Sequence, residues 1–125
     1  MNIIMRKKAE NTEIEFLERD NSLNWFLSLV NLLDDIESIE CIDSKELKEK
    51  TYFNNSYLTV LADEIEPENR PLNLFASNLC NKEVRGDVLI CKIIEDETIE
   101  VGFDIVGFNS IEEAKLYLNK YKEEK

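Results

Sequence analysis

A near-continuous apolar run from Asp87 to Ile94 is the strongest structural signal in this chain. A run of this length, rich in valine and isoleucine and bounded by turn residues, is typical of a buried β-strand. The acidic triplet Glu95-Asp96-Glu97 ends the run, and Ile99, Val101 and Phe103 then alternate with polar residues. Together the two segments predict a β-hairpin.

The rest of the chain predicts an α+β fold, with a mainly antiparallel sheet of about 4–6 strands and two main helices and one short helix packed on it. An early strand is expected between Asn11 and Asp20, followed by a helix from Leu23 to about Leu33 that Asn21 or Ser22 caps. The other predicted elements are strands at Ile36 to Asp43 and Tyr57 to Ala62, a polar connection at Ser44 to Lys50, a turn at Asn54-Asn55, a loop at Asp63 to Pro71, a short helix from Asn73 to Cys80, and a C-terminal helix with a capping box at Ser110 and Glu113. We expect one domain over residues 1–125, frayed at residues 1–10 and 122–125.

Composition excludes several classes of function. The 125 residues contain no histidine, which removes the usual general base near neutral pH and every Ser-His or Cys-His pair. A net charge of −12 argues against direct binding of nucleic acid or an anionic membrane, because clustered lysines and arginines hold those partners. We therefore expect a protein that is not an enzyme, needs no cofactor or metal, and binds a partner with a basic surface.

The three cysteines, Cys41, Cys80 and Cys91, lack CxxC spacing and lie among apolar residues. This pattern predicts buried, reduced thiols without a disulfide, which is typical of a cytoplasmic protein. The chain has no apolar stretch near the length of about 18 residues that a membrane helix needs, and its start, MNIIMRKK, lacks the apolar region of an export signal. The expected location is the cytoplasm.

Many of the carboxylates fall into three groups that no lysine or arginine interrupts. The groups are Asp34, Asp35, Glu37, Glu40 and Asp43; Asp63, Glu64, Glu66 and Glu68; and Glu95, Asp96, Glu97, Glu100 and Asp104. If the fold gathers them on one side, the surface imitates a phosphate backbone and occupies the nucleic-acid groove of another protein. The alternative is that they are solvated loops and strand ends. A divalent-metal site is less favoured, because EF-hand spacing with its glycine is absent.

The predicted first helix carries two apolar stripes. One stripe contains Leu23, Phe26, Leu27, Val30 and Leu33, and the other, about 180° away at 100° per residue, contains Trp25, Leu29 and Leu32. One sheet cannot cover both. Either another segment of the chain covers the Trp25 stripe, or the stripe is a subunit or partner interface, and we expect a symmetric homodimer there.

A possible ligand site surrounds the short helix that Asn73 begins. Free amides in the first turn of a helix favour anions, and Asn73, Ser77 and the flanking Arg70 and Arg85 would then bind a nucleotide phosphate. The alternative is a capped helix whose neighbouring arginines pair with Glu68 or Glu83.

Five motifs follow one another along the chain: Ser22–Val30, Ile39-Glu40, Leu61–Glu64, Arg70–Leu79 and Val84–Ile90. Their order resembles the DUF3846 type, a family of small domains of unknown function found in phages, plasmids and other mobile elements of bacteria. The resemblance covers about residues 12–94 and departs from the family after the first helix, where Leu33-Asp34-Asp35 replaces glycines. The resemblance implies an origin in a mobile element and no known activity, catalytic residue or ligand.

These observations support two principal hypotheses. The first is a non-enzymatic accessory or anti-defence protein of a mobile element that binds a host protein, with the acidic groups steering the encounter. The second is a protein that sequesters a nucleotide or nucleotide signal near Arg70, Asn73 and Arg85. A magnesium-dependent hydrolase is a third and weaker hypothesis, because no set of ligands can be named.

Overall fold

The computed structural model describes residues 2–20, 22, 24–33, 39–42, 44–63, 67–98 and 100–123. The strands are β1 (Ile3–Lys7), β2 (Glu15–Glu18), β3 (Glu40–Ile42), β4 (Ser56–Ala62), β5 (Val88–Glu95) and β6 (Phe103–Val106); the helices are α1 (Trp25–Val30), α2 (Lys45–Thr51), α3 (Leu74–Cys80) and α4 (Ile111–Glu123), with a 3-10 turn at Pro67–Asn69. The strands form one antiparallel sheet in the order β2-β1-β5-β4-β3, and β6 pairs with β5. The predicted α+β fold is confirmed.

The sheet separates two apolar cores, because successive side chains of a strand point to opposite faces. On one face, residues such as Met5, Val60 and Ile90 pack under α2, α3 and α4. On the other face, Ile4, Leu61, Leu89 and Cys91 pack against Leu29 and Leu33, which belong to α1 and the turn after it. The central strands are therefore apolar on both sides, which accounts for the near-continuous hydrophobic run in β5.

Residues 3–7 form a strand inside the sheet, which corrects the expectation of fraying for this part of residues 1–10. Strand β1 lies between β2 and β5, and Ile3, Ile4 and Met5 are buried. Because both faces of β1 are covered, its apolar residues are consecutive and lack the alternation that marks a half-buried strand. Lys7 is buried as well, and its ammonium donates to the carbonyls of Lys8 and Asn11.

The segment Ser44 to Lys50, predicted as a polar connection, lies mostly in α2. Ser44 caps this helix, since its hydroxyl accepts a hydrogen bond from the Leu47 amide at 3.2 Å. Only Leu47 and Thr51, one turn apart, are buried. The other five of the seven helical residues are charged, so the sequence shows no apolar periodicity that would indicate a helix. The first helix is also shorter than predicted, and Asn24, rather than Asn21 or Ser22, is its N-cap.

Several local predictions are confirmed. Asn54 and Asn55 both have positive φ and connect the Phe53–Ser56 bridge, as a tight turn requires. The hairpin of β5 and β6 is present, although β6 begins only at Phe103. Helix α4 begins with the predicted capping residues: the Ser110 hydroxyl accepts from the Glu113 amide at 3.1 Å, and the Glu113 carboxylate accepts from the Asn109 amide at 3.0 Å.

Gly107 lies where the chain leaves β6 and passes the first residue of β1. A Cβ at this position would approach the Ile3 carbonyl oxygen to 3.0 Å and the Ile4 Cδ1 atom to 3.1 Å. We expect Gly107→Ala to lower the free energy of unfolding by about 1 kcal/mol, because the Ile3 carbonyl is held in the bridge to Phe108 and cannot move freely. Urea denaturation measures this. Ile4→Val removes the Cδ1 atom, so the double variant should lose less than the two single losses added together, and simple additivity would contradict the steric explanation.

Candidate partner-binding surface

The end of the β5–β6 hairpin is built around Asp96. The Asp96 amide donates to the Gly102 carbonyl at 2.9 Å and closes the loop. The Asp96 carboxylate accepts from the amide of Thr98 at 2.9 Å and from its hydroxyl at 2.6 Å. These bonds to the hydroxyl and amide of Thr98 lower the pKa of Asp96, so this carboxylate is charged near neutral pH. Asp96 therefore stabilises the loop through these hydrogen bonds and remains charged.

Glu95 holds the hairpin against the turn after α2. Its carboxylate accepts a 2.6 Å hydrogen bond from the Tyr52 hydroxyl and lies 3.5 Å from the Lys48 ammonium. The Tyr52 hydrogen bond, with a smaller effect of Lys48, lowers the pKa of Glu95. Because Lys48 partly offsets Glu95, the free negative charge of the hairpin lies mainly further along the loop.

Exposed carboxylates and exposed apolar side chains lie together at this end of the sheet. Glu97, Glu100 and Asp104 are exposed. Beside them, 67% of Val101 and 42% of Phe103 are exposed, and Phe103 is the cross-strand neighbour of Glu95. We call this set the hairpin-end surface; it comprises Tyr52, Glu95, Asp96, Glu97, Glu100, Val101, Phe103 and Asp104. Apolar area surrounded by charge is the usual composition of a protein interface.

The other acidic groups do not extend the hairpin-end surface. Asp34, Asp35, Glu37, Asp43, Glu64 and Glu66 lie outside the described residues. Glu40 is exposed on β3, where it pairs with Ala62 at the far end of β4, whereas the hairpin adjoins Ser56 at the near end. Seven strand residues span roughly 20 Å. Glu40 and the hairpin therefore belong to separate surfaces, and the described residues do not form one continuous acidic face.

Asp63 is not a surface carboxylate, which corrects its assignment to a partner-binding group. Only 4% of the residue is exposed, and its Oδ2 atom accepts from Arg70 Nη2 at 3.1 Å. The sequence places Asp63 among exposed acidic residues, but the chain turns back after the 3-10 turn and brings Arg70 onto it. Two residues predicted for two different sites thus form one internal ion pair.

The four residues predicted to bind a ligand form internal contacts instead. The fully buried Asn73 side chain accepts from the Ala76 amide at 3.1 Å and donates to the carbonyls of Lys7 and Gly86 at 3.0 and 2.9 Å. The Ser77 hydroxyl contacts both the amide and the carbonyl of Val84. These contacts use the polar atoms of both side chains, and neither residue lines the nearby 490 Å³ cleft beside Arg70 and Asp87.

Arg85 supports the same correction. Its guanidinium lies 3.2 Å from the Glu83 carboxylate and donates to the Arg70 carbonyl at 3.1 Å. The alternative interpretation from the sequence, a capped helix with an Arg85–Glu83 pair, therefore describes this region, except that Arg70 pairs with Asp63 rather than Glu68. Asn73, Ser77 and Arg85 act here as structural residues.

The predicted interface on the first helix is also corrected. Leu29 is only 1% exposed and packs in the core with Leu61 and Leu89, and Leu32 packs against the same cluster. Leu27, predicted to face the core, is exposed. Within α1 the face that carries Leu29 packs on the sheet, and because α1 ends at Val30, Leu33 lies in the turn after it and joins the same cluster. The Trp25 side chain lies outside what the structure describes.

The cysteines agree with the prediction in part. Cys80 and Cys91 are buried and Cys41 is exposed, and all three are free. Burial raises the pKa of Cys80 to about 11 and also raises the pKa of Cys91, and partial desolvation of the thiol raises the pKa of Cys41 although this residue is exposed, so these thiols are protonated at neutral pH and are poor nucleophiles. Among the described residues, no group of three or more acidic or cysteine side chains is arranged to hold a metal ion.

Sequence reasoning missed the apolar part of the hairpin-end surface. It placed Val101 and Phe103 in the second strand of the hairpin without predicting their exposure, and it did not single out Tyr52. The available signal was the unbroken acidic group around them. Carboxylates at positions 97, 100 and 104 favour contact with water, so a helix or strand packed over Val101 and Phe103 is not expected.

Comparison of the chain with family models, with curated proteins and with solved structures finds no match. The resemblance to the DUF3846 type therefore stays a prediction. In the described part of the chain, no helix is both long enough and apolar enough to cross a membrane.

Proposed function

We propose that this chain is a non-enzymatic accessory protein of a mobile element that binds a host protein with a basic surface through the hairpin-end surface. The observation that carries the proposal is the juxtaposition of exposed Glu97, Glu100 and Asp104 with exposed Val101 and Phe103. The carboxylates increase the encounter rate with a basic partner, and the apolar side chains supply contact area. The mobile-element origin depends on the family resemblance alone.

The physical basis of this proposal is that the hairpin-end surface is acidic and that the whole protein is acidic. A net charge of −12 repels nucleic acid and attracts basic surfaces, and the lowered pKa values of Glu95 and Asp96 keep both groups charged under mildly acidic conditions. A host protein that normally binds phosphate groups presents such a basic surface. In the bacterial cytoplasm, occupation of that surface would block the host protein, which is the action of an anti-defence protein.

Neutralising the exposed carboxylates tests the proposal. The triple variant Glu97→Gln, Glu100→Gln, Asp104→Asn should bind a partner captured from bacterial lysate at least tenfold more weakly, since each lost charge reduces a complementary interaction. The matched control is Glu10→Gln, Glu68→Gln, Glu112→Gln, which changes the net charge equally at exposed positions elsewhere. Biolayer interferometry at two salt concentrations gives the affinities and association rates.

The apolar half needs its own variant. Val101→Ser with Phe103→Ser keeps every carboxylate, so we expect faster dissociation with little change in the association rate. Equal weakening by the two triple variants would mean that bulk charge, not the hairpin-end surface, holds the partner. Failure of the wild-type protein to retain any host protein would refute the proposed function.

A further inference from the structure

Strand β2 lies at one edge of the sheet. The Arg19 amide donates to the Asn2 carbonyl at 2.8 Å, so Arg19, Leu17 and Glu15 direct their backbone groups toward β1. Backbone groups alternate along an antiparallel strand, and those of Phe16 and Glu18 therefore point outward. Within the described residues no strand pairs with this outer edge. An open row of amides and carbonyls is a template for another strand.

An apolar groove lies beside this edge. It has a volume of about 500 Å³ and lies between the residues that lead into β2 and residues of α3 and α4. Ile14, Phe16, Phe75 and Leu118 line its apolar part. The first three are only partly buried against the main core, so each still exposes apolar surface. A strand added to β2 would direct every second side chain toward this groove.

The groove is more basic than the rest of the protein. Lys115 and Lys122 from α4 line it against a single carboxylate, Glu13, whereas the chain as a whole carries −12. The Lys115 ammonium lies 5.7 Å from the centre of the Phe16 ring, at the border of the apolar floor. A ligand that places a carboxylate near these ammonium groups gains a local attraction.

We propose that the open edge of β2 and its groove bind an extended segment of another protein, in which every second residue faces the groove and these groove-facing residues are apolar in the middle of the segment and aspartate or glutamate at its ends. The segment pairs with the outward backbone groups of Phe16 and Glu18, inserts apolar side chains beside Phe75, and directs carboxylates toward Lys115 and Lys122. This is strand addition, in which main-chain hydrogen bonds give affinity and alternate side chains give specificity. A second copy of this chain is disfavoured, because two chains that each carry a net charge of −12 repel one another.

The proposal is tested with a fluorescent eight-residue peptide, measured by anisotropy. Its four odd-numbered residues, which share one face of a strand, are Asp, Val, Phe and Asp, and its even-numbered residues are threonine. We expect saturable binding to the wild-type protein. Lys115→Glu with Lys122→Glu should weaken it at least tenfold. The control Lys45→Glu with Lys82→Glu, which gives the same net charge, should change it less than twofold. Circular dichroism verifies that each variant is folded.

Two modified peptides complete the test. N-methylation of alternate peptide amides should abolish binding if backbone pairing at β2 holds the peptide, and replacing its aspartates by lysine should abolish it through charge. Three results would each overturn the proposal. They are an equal loss of binding in both lysine variants, unchanged binding after N-methylation at either set of alternate amides, and no binding to the wild type at millimolar peptide. A wild-type dimer that Lys115→Glu with Lys122→Glu dissociates would also overturn it, since the occupant would be a second copy. The hairpin triple variant should bind this peptide normally, which separates this site from the proposed function.

Discussion

Replacing Asn73 by alanine should lower the free energy of unfolding by about 4 kcal/mol. The substitution removes the N-cap of α3, worth about 1 kcal/mol, and leaves the buried carbonyls of Lys7 and Gly86 without a donor, at roughly 1–3 kcal/mol each. One side chain thus connects three parts of the chain: α3, the end of β1 and the turn before β5. Urea denaturation followed by circular dichroism measures the loss.

Two companion variants separate capping from the buried donors. Asn73→Ser keeps a capping oxygen but cannot reach both carbonyls, so its loss should be intermediate. Asn78→Ala makes the same substitution at an exposed position of α3 and should change stability by no more than about 0.5 kcal/mol. If Asn73→Ala and Asn78→Ala lose the same amount, the three hydrogen bonds contribute little.

The second large effect concerns the ion pair between Lys92 on β5 and Glu113 on α4. The Lys92 ammonium lies 2.7 Å from the Glu113 carboxylate, and the two side chains are only 8% and 26% exposed. Glu113→Gln keeps an acceptor for the Asn109 amide but leaves the buried ammonium without a counter-charge. We expect a loss of about 2 kcal/mol, because an unpaired charge in the interior is costly. Lys92→Met combined with Glu113→Gln should recover most of it.

The same pair makes stability depend on pH. Burial by itself would raise the pKa of Glu113, but the hydrogen bonds from Lys92 and the Asn109 amide outweigh it and lower the pKa. A carboxylate with a lowered pKa in the folded state contributes stability above its unfolded pKa, and this contribution is lost as the pH falls through the folded pKa. Thermal unfolding from pH 7 to about pH 3 should therefore be less pH-dependent for Glu113→Gln than for wild type, with Glu112→Gln as the control. Parallel curves for all three proteins would contradict this origin of the pH dependence.

Strong local signals made much of the fold predictable. The Asn54-Asn55 turn, the Asn73 cap and the start of α4 each depend on side chains that satisfy nearby backbone groups, so a short stretch of sequence contains the whole interaction. Strands β4 and β5 were predictable because burial on both faces leaves few polar residues in them.

The incorrect predictions share a dependence on distant parts of the chain. β1 is a strand because residues 88–90 pair with it, and no pattern within residues 1–10 contains that information. The burial of Asp63 depends on Arg70, and the orientation of α1 depends on which face of the sheet receives Leu29. The prediction of a ligand site at Asn73 was wrong for the same reason, because the Asn73 side chain donates a hydrogen bond to the carbonyl of Lys7, 66 residues away. The acidic loop of the hairpin was predictable because its carboxylates are close together in the sequence, but the exposure of its apolar residues was not.

The position of β5 has a consequence for biosynthesis. This strand contacts β1, β4 and β6, yet residues 8–87 must be translated between β1 and β5. Until β5 has left the ribosome, the β1–β2 hairpin and β4 both lack their central neighbour, and their apolar faces remain uncovered. We therefore expect that the elements described before Val88 do not fold stably by themselves. A nascent chain stalled before Val88 should then be bound by chaperones or degraded by proteases.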